Sequence, residues 1–600
     1  MVCLSIDAHI GAYLKRGAYF MAVVDSRTAP LQFNFLNHGT VHLLSNKLYN
    51  KLKSSDEGLF HDYILPLIPL DLVSRLYSTR TDVRPAPYAV NIVAAAIFVR
   101  LTGLTEESFM EQLPWNLKYQ HAIGIEQWSD DVPSGEKTFS NLRQRFKDYN
   151  DKHPGEDIWD QITQSIDLQI AEKMGLLNTS YDEQYKYALR LDSLMISMYA
   201  AQRPRLDNVY TTMSIVVADL VEKKVELPKD LQHFTRKDDY RSVVYFKGLQ
   251  DEYVKEGLPL PKEGQKELTT SQRKEAISEH RLAKLVAEIE GLQKLCIESG
   301  VYDEEKYRLF ERMISEQTEY KDGKLVPKSK KDISPTSMQS PYEPEATYRF
   351  KAGNSYHGYA GFIAELFNKE GDGVIIERRL EPNSYSDQNF MRSFQKKHAS
   401  FLDVKDGEKA YISCDAGFFS VELNAESAKL NWDMFCAGVH GSAPNIIFTE
   451  FKFNEDRTAI TACPEGHTHF LLNDLGGGSY RLRFPDKCCK DCERKDECGA
   501  VFTGKTENKG SSYVTFSEAK YAAALCVRMR EGLEGPDIVD YLNKRNAIEG
   551  INSVLRRKYN IDNRHIGGLS FARYIFYGSI TCYCIIKYFM YLRKKDRQCK

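Results

Sequence analysis

The stretch "YKYALRLDSLMISMYA" (Tyr185–Ala200) mixes aliphatic, β-branched and aromatic residues in alternation. That is the pattern of a buried strand. It is preceded by a stretch of helical character, 61–150. Its one acid, Asp192, comes at the end of an apolar run. A carboxylate there is expected to project from a sheet edge, where ligands of α/β sheets bind. A second stretch repeats the arrangement. "KAYISCDAGFFS" (409–420) is a short apolar strand ending at Asp415, with Gly417 allowing a sharp turn. Taken singly, each aspartate is an ordinary turn or cap residue.

Outward from Asp192, residues 1–60 carry no clear signal. Residues 61–150 read as a helical N-terminal domain for DNA binding or dimerisation. "YAVNIVAAAIFVRLTGL" (88–104) has apolar residues at helical spacing, and "TFSNLRQRF" (138–146) looks like a capped helix start. Residues 180–600 read as one α/β domain with two interruptions. The first, 205–340, is a helical insertion. It begins with a helix at Arg205, and Leu282, Leu285, Ile289, Leu292 and Cys296 then recur at spacings of three and four. A flexible linker rich in Lys, Ser and Pro (322–346) ends it. Strands return at 346–353, 357–367 and 373–381, a helix covers 386–398, and "APNIIFTEFKF" (443–453) is a further expected strand. The second interruption is a cysteine cluster at 455–505.

The 600 residues are 42% hydrophobic and 27% charged, an ordinary globular composition, with a formal net charge of −2. The charge is unevenly spread. From Tyr541 to Lys600 stand 13 Lys or Arg and three acids (Glu549, Asp562, Asp596), a balance of +10. Such a patch is the footprint of a phosphate-backbone binder. The start of the chain has no secretory pattern, because Asp7, Lys15 and Arg16 break its apolar residues. "YIFYGSITCYCII" (574–586) falls short of the roughly 20 residues of a membrane span and is expected to be a buried core helix. The expectation is a cytoplasmic protein with no membrane partner.

"YLNKRNAIEGINSVLRRKYN" (541–560) sets one acid, Glu549, among Lys544, Arg545, Arg556, Arg557 and Lys558. At about 100° per residue, Arg545, Glu549, Asn552 and Arg556 share one side of a helix. Ile548, Ile551 and Leu555 share the other. The pattern alone fits a solvated ion-pair face. With Asp192 and Asp415, however, Glu549 completes a set of hard oxygen ligands of the kind Mg²⁺ prefers. Two such ions can activate a water and stabilise the leaving oxygen of a phosphodiester.

In these motifs the chain resembles the DDE transposases of bacterial insertion sequences. "RLDSLMISMYA" looks like their first-aspartate strand and "ISCDAGFFS" their second-aspartate motif. "YLNKRNAIEGINSVLRRKYN" is similar to the Tyr-Arg-Glu-Lys motif around their catalytic glutamate. The resemblance implies an RNase H-like mixed sheet with helices and a helical N-terminal domain. It also implies metal-dependent cleavage at transposon ends with strand transfer into target DNA. Asp192, Asp415 and Glu549 would be catalytic ligands of Mg²⁺ or Mn²⁺. Tyr541, Arg545, Arg556, Arg557 and Lys558 would contact double-stranded DNA, on a homodimer or larger assembly at the bacterial nucleoid. Three residues, where the family has two, separate Tyr541 from Arg545, and Arg556 replaces the usual lysine. The alternatives are a catalytically inactive, transposase-derived DNA-binding protein and an RNase H-like nuclease without strand transfer.

Cys463, Cys489, Cys492 and Cys498 supply four thiolates, enough for a closed tetrahedral structural zinc site in a small ribbon-like insert. Cys488 competes with Cys489, and His467 or His469 could replace a cysteine. An iron–sulfur cluster also takes four thiolates, and a cluster of free thiols with no metal is the other alternative. "GGGS" at Gly476 reads as a hairpin turn, and the insert has little apolar material for a core of its own. Similar cysteine inserts occur in the transposases, between the second aspartate and the glutamate.

Overall fold

The computed structural model describes residues 44–599 except 78–87, 126–134, 200–202, 262–265, 303, 352, 400, 403, 405–406, 437–444, 455–458, 485–486, 490–491, 507–508, 532–538, 540–542 and 563–566. It is mixed α/β. The central sheet is built from β1 (Tyr187–Ser197), β2 (Thr347–Lys351), β3 (Asn354–Phe367), β4 (Gly373–Pro382), β5 (Ala410–Cys414) and β6 (Trp432–Cys436). Along the sheet the order is β4-β3-β1-β5-β6, with β2 hairpinned onto the start of β3. β3 pairs antiparallel with β1 and with β4, whereas β5 and β6 run parallel to β1. Ten of the eleven residues of β1 are buried. That explains its near-continuous apolar sequence, since a strand covered on both faces has no solvent side to make polar.

Helices cover both faces. Before the sheet come α1 (Ala89–Thr102), α2 (Thr138–Lys152) and α3 (Ile158–Lys173); the chain ends in α10 (Ala547–Arg557) and α11 (Leu569–Cys599). On the opposite face lie α7 (Asp387–His398) and α8 (Val421–Lys429). Phe390 of α7 stacks on Phe362 of β3, with ring centroids 5.1 Å apart. On the other side Gly361 of β3 lets α11 approach closely. A Cβ at Gly361 would stand 2.8 Å from the Phe576 ring. α11 is long and apolar enough to cross a membrane, yet 72% of its apolar window is buried within the chain. It is the buried core helix expected from the sequence, extended well beyond 574–586.

The N-terminal helices share this core and do not form one of their own. Phe60, Phe98, Phe109 and Trp159 belong to the same buried cluster as the strands and α11. Trp159 Nε1 donates to the Tyr574 carbonyl at 3.0 Å. α2 begins at Thr138 without a side-chain cap, so the expected capped start is not formed.

The helical insertion has its own core. α4 (Arg205–Glu222), α5 (Thr270–Glu298) and α6 (Glu305–Gln317) bury Leu282, Leu285, Ile289, Leu292 and Cys296 among themselves, the seam read from the sequence. The expected flexible linker is instead ordered. Thr318–Lys321 and Lys324–Pro327 form a hairpin, and Ser337, Met338, Ser340 and Glu343 are buried. Its polarity misleads because the segment is pinned from outside. Asn208 donates to the Met338 carbonyl at 2.8 Å, and Arg312 to the Pro344 carbonyl at 2.7 Å.

The cysteine insert reaches past 505. Its sheet is β7 (Leu471–Gly476), β8 (Ser479–Phe484), β9 (Val501–Thr506) and β10 (Lys509–Ser517), in the order β7-β8-β10-β9. "GGGS" is the β7–β8 hairpin turn, and Gly476, Gly477 and Gly478 all have positive φ. Two expectations fail here. The insert does have a core, because Phe448, Phe451, Val514 and Phe516 enter it from outside 455–505. Of the strand expected at 443–453, residues 443 and 444 lie outside the described residues, and the rest holds a 3₁₀ turn over Ile446–Glu450 and only two strand residues, Lys452–Phe453. Asn445 caps that turn, accepting from the Ile447 N–H at 3.1 Å.

Candidate functional site

Strand register brings the two aspartates together. β1 and β5 are parallel neighbours, with Tyr187 opposite Ala410 and Arg190 opposite Ser413. Asp192 and Asp415 each lie two residues further along. Residues two apart share a face of a strand, so both carboxylates arrive on one face at one level. Asp192 is not at a strand end, as the sequence implied. It lies mid-strand in β1, paired with Ile363 of the long β3. Only the parallel pairing stops at its level, because β5 ends at Cys414.

Asp192 is buried, whereas the Asp415 side chain is 39% exposed. Burial holds the Asp192 carboxyl above the usual carboxylate range; the Ser193 N–H opposes the rise, and the charge of Asp415 adds to it. Ser193 N donates to Asp192 Oδ1 at 2.8 Å, and Asn552 Nδ2 donates to Oδ2 at 2.8 Å. Arg545 forms an ion pair with Asp415 through its guanidinium. Arg545 and Asn552 are seven positions apart, two helical turns, so the polar side of this segment faces the aspartates. Its apolar residues, Ile548, Ile551 and Leu555, are buried in the main core. Glu549 lies on that polar side, between the two contacts. Its carboxylate is exposed and makes no ion pair or hydrogen bond among the described residues.

Arg190, one position back on the same face of β1, went unnoticed in the sequence. Its Nε donates to Glu365 Oε2 at 2.5 Å, and its guanidinium also donates to the Lys544 carbonyl at 2.6 Å. Both side chains of the pair are buried, at 5% and 0% exposure. Removing one partner of such a pair costs about 3–5 kcal/mol. Arg190 thus ties the catalytic-strand candidate to the start of the Glu549 segment. The available signal was an arginine inside an apolar strand, a position that requires a partner.

Arg556 donates to the Met195 carbonyl at 2.6 Å and stands 3.7 Å from Asp562, with its side chain 45% exposed. Arg557 and Lys558 are exposed beside it. Tyr541 lies outside the described residues.

Mg²⁺ commonly takes one or two protein carboxylates, with waters and substrate phosphates completing its shell. The Asp192–Asp415 pair fits that donor chemistry. The third acid is close by on α10 but is not gathered in. Among the described residues, no three His, Cys, Asp or Glu stand close enough to share a metal ion.

That statement covers the cysteines as well. Cys463 and Cys489 are buried in the insert core, with Cys488 and Cys498 packed against it. Burial pushes the Cys489 and Cys498 thiols up to about 12, and neighbouring cysteines add to both rises. Thiols in this setting stay protonated unless a cation offsets the charge. The donor set suits zinc, while the sulfurs are not drawn into a tetrahedron. Arg494 braces the module through Glu450 at 2.6 Å. His467 accompanies Cys463, whose backbone N–H donates to the His467 carbonyl at 3.1 Å.

Comparison with protein-family models, with curated proteins and with solved structures gave no match.

Proposed function

We propose that the chain is a metal-dependent DNA transposase of the DDE type, built on an RNase H-like sheet. The observation that carries this reading is the pairing of Asp192 with Asp415. These acids lie more than two hundred positions apart in sequence and meet at the end of a parallel strand pair, with a basic helix docked across them. The mixed central sheet, in the order β4-β3-β1-β5-β6 with β3 opposed to the other four strands, supports the α/β core that this reading needs.

Asp192 and Asp415 would hold Mg²⁺ or Mn²⁺, with Glu549 supplied from α10. Bound there, the metal would activate a nucleophile and stabilise the leaving oxygen of a phosphodiester. Arg190 holds the Glu549 segment against β1. Arg556, Arg557 and Lys558 present positive charge along one helix end, suited to the DNA backbone. The cysteine insert would bind one zinc as a structural brace. Two protomers would act together, since two DNA ends must be joined to one target.

The exposed carboxylate of Glu549 favours a second reading, a DNA-binding relative that no longer cuts. One assay separates the two. Purified protein with Mg²⁺ is incubated with the DNA that flanks its coding sequence, and nicked and joined products are resolved. The expected result is a free 3′ hydroxyl followed by a joined product. Nicking without joining would leave a nuclease. No nicking in Mg²⁺ or Mn²⁺ would leave the DNA-binding relative.

A further inference from the structure

We propose that Asn552 is a positioning residue of the candidate metal site, fixing the Asp192 carboxylate and offering its own oxygen to a cation's water. The inference rests on the reading of Asp192 and Asp415 as metal ligands. Asn552 sits three residues after Glu549, on the same side of α10. Its Nδ2 donates to Asp192 Oδ2 at 2.8 Å. Its Oδ1 is buried and has no hydrogen-bond partner among the described residues. Turning the amide over would set oxygen against carboxylate and strand the NH₂, so the donor orientation is the one the chemistry selects.

Three groups now divide the two carboxylates. Ser193 N–H takes Asp192 Oδ1, Asn552 takes Oδ2, and Arg545 pairs with Asp415. A carboxylate oxygen can accept more than one hydrogen bond or cation, so these donors orient Asp192 and leave lone pairs for a metal. An amide beside them, with an acceptor to spare, matches the outer-shell partners that orient ligands in metal sites. The apolar side of the helix cannot supply this role. Ile551 and Leu555 are committed to the core, and Glu549 carries a charge that would repel Asp192 without a cation between them.

The test is a Mn²⁺ titration of the full chain without DNA, followed by electron paramagnetic resonance, for the parent, Asp415→Asn, Asn552→Leu and Asn552→Ala. Asp415→Asn should abolish the site. Asn552→Leu and Asn552→Ala should each weaken Mn²⁺ about 10–100-fold, measured at a temperature where the metal-free variants remain folded. Affinities within twofold of the parent would overturn the role of Asn552. If both apolar variants fail to fold, Asn552→Asp keeps the shape. It should tighten Mn²⁺ by adding a carboxylate to the site, and an unchanged affinity would again overturn the role. A parent that binds no Mn²⁺ sensitive to Asp415→Asn would bring down the metal-site reading itself, and this inference with it.

Discussion

The aspartate pair and the cysteine insert are both clusters of potential metal ligands, and the chain assembles them by opposite means. The aspartates are remote in sequence and meet because two hydrogen-bonded strands hold them in register. The cysteines are close in sequence, with Cys489, Cys492 and Cys498 within ten residues. They sit on turns, where no ladder fixes one sulfur against another: Cys489 ends a short 3₁₀ turn and Cys498 a single helical turn. A site delivered by a sheet can exist before its ion arrives. A site on turns depends on its ion to close it. The neighbouring groups agree. Asp192 already has two donors in place, whereas burial and mutual repulsion leave the Cys489 and Cys498 thiols protonated.

The largest effect should come from the insert. If zinc closes the cysteines, its binding energy of about 10 kcal/mol or more is folding energy for that module. Purified protein should carry about one zinc per chain by elemental analysis. Chelation should expose the 446–517 region to protease while leaving the central sheet intact. Cys492→Ser should do the same. A brown protein containing iron would point to a cluster, and metal-free protein with an equally resistant insert would sink the comparison.

Next in size is Asp415→Asn. It keeps shape and removes charge, so cleavage should fall about a thousandfold, equivalent to several kcal/mol of lost charge stabilisation. DNA binding should persist, because phosphate contacts come from the cations. Undiminished cutting would remove Asp415 from the mechanism.

Arg556→Ala is a smaller perturbation. DNA affinity should drop by roughly tenfold, and the slope of log affinity against log salt should flatten by about one phosphate contact. An unchanged slope would mean that Arg556 serves only its bond to the Met195 carbonyl.

The smallest effect sharpens the claim that the aspartate site is preformed at a cost. Asp192 is held above its ordinary value of 3.8, first by burial. Its ionisation therefore opposes folding once pH rises through 3.8, and the penalty reaches its full size above the raised folded value. Asp192→Asn should stabilise the metal-free chain by about 1 kcal/mol near neutral pH. The gain should vanish below about pH 3.8, where the carboxyl is protonated in both states. A destabilised variant at pH 7 would mean that the hydrogen bonds from Ser193 and Asn552 outweigh the desolvation.

Much was legible in the sequence because it is local. Strand patterns marked β1 to β5 but not β6, periodicity of three and four marked α5 and α10, and "GGGS" marked its hairpin. The apolar and polar sides of α10 followed from the same periodicity, which is why Arg545 and Asn552 could be expected on one face with Glu549. What remained hidden depends on partners far along the chain. No local pattern says that Arg190 will meet Glu365, that 322–346 will be pinned by Asn208 and Arg312, or that Phe448 and Phe516 will furnish the insert with a core. Likewise, only the docking of α10 against β1 decided that Arg545 pairs with Asp415 and Asn552 with Asp192 while Glu549 stays exposed. Periodicity specifies which face of an element is buried. Which residue meets which across two elements is set by register and docking, and those are settled only when the whole core packs.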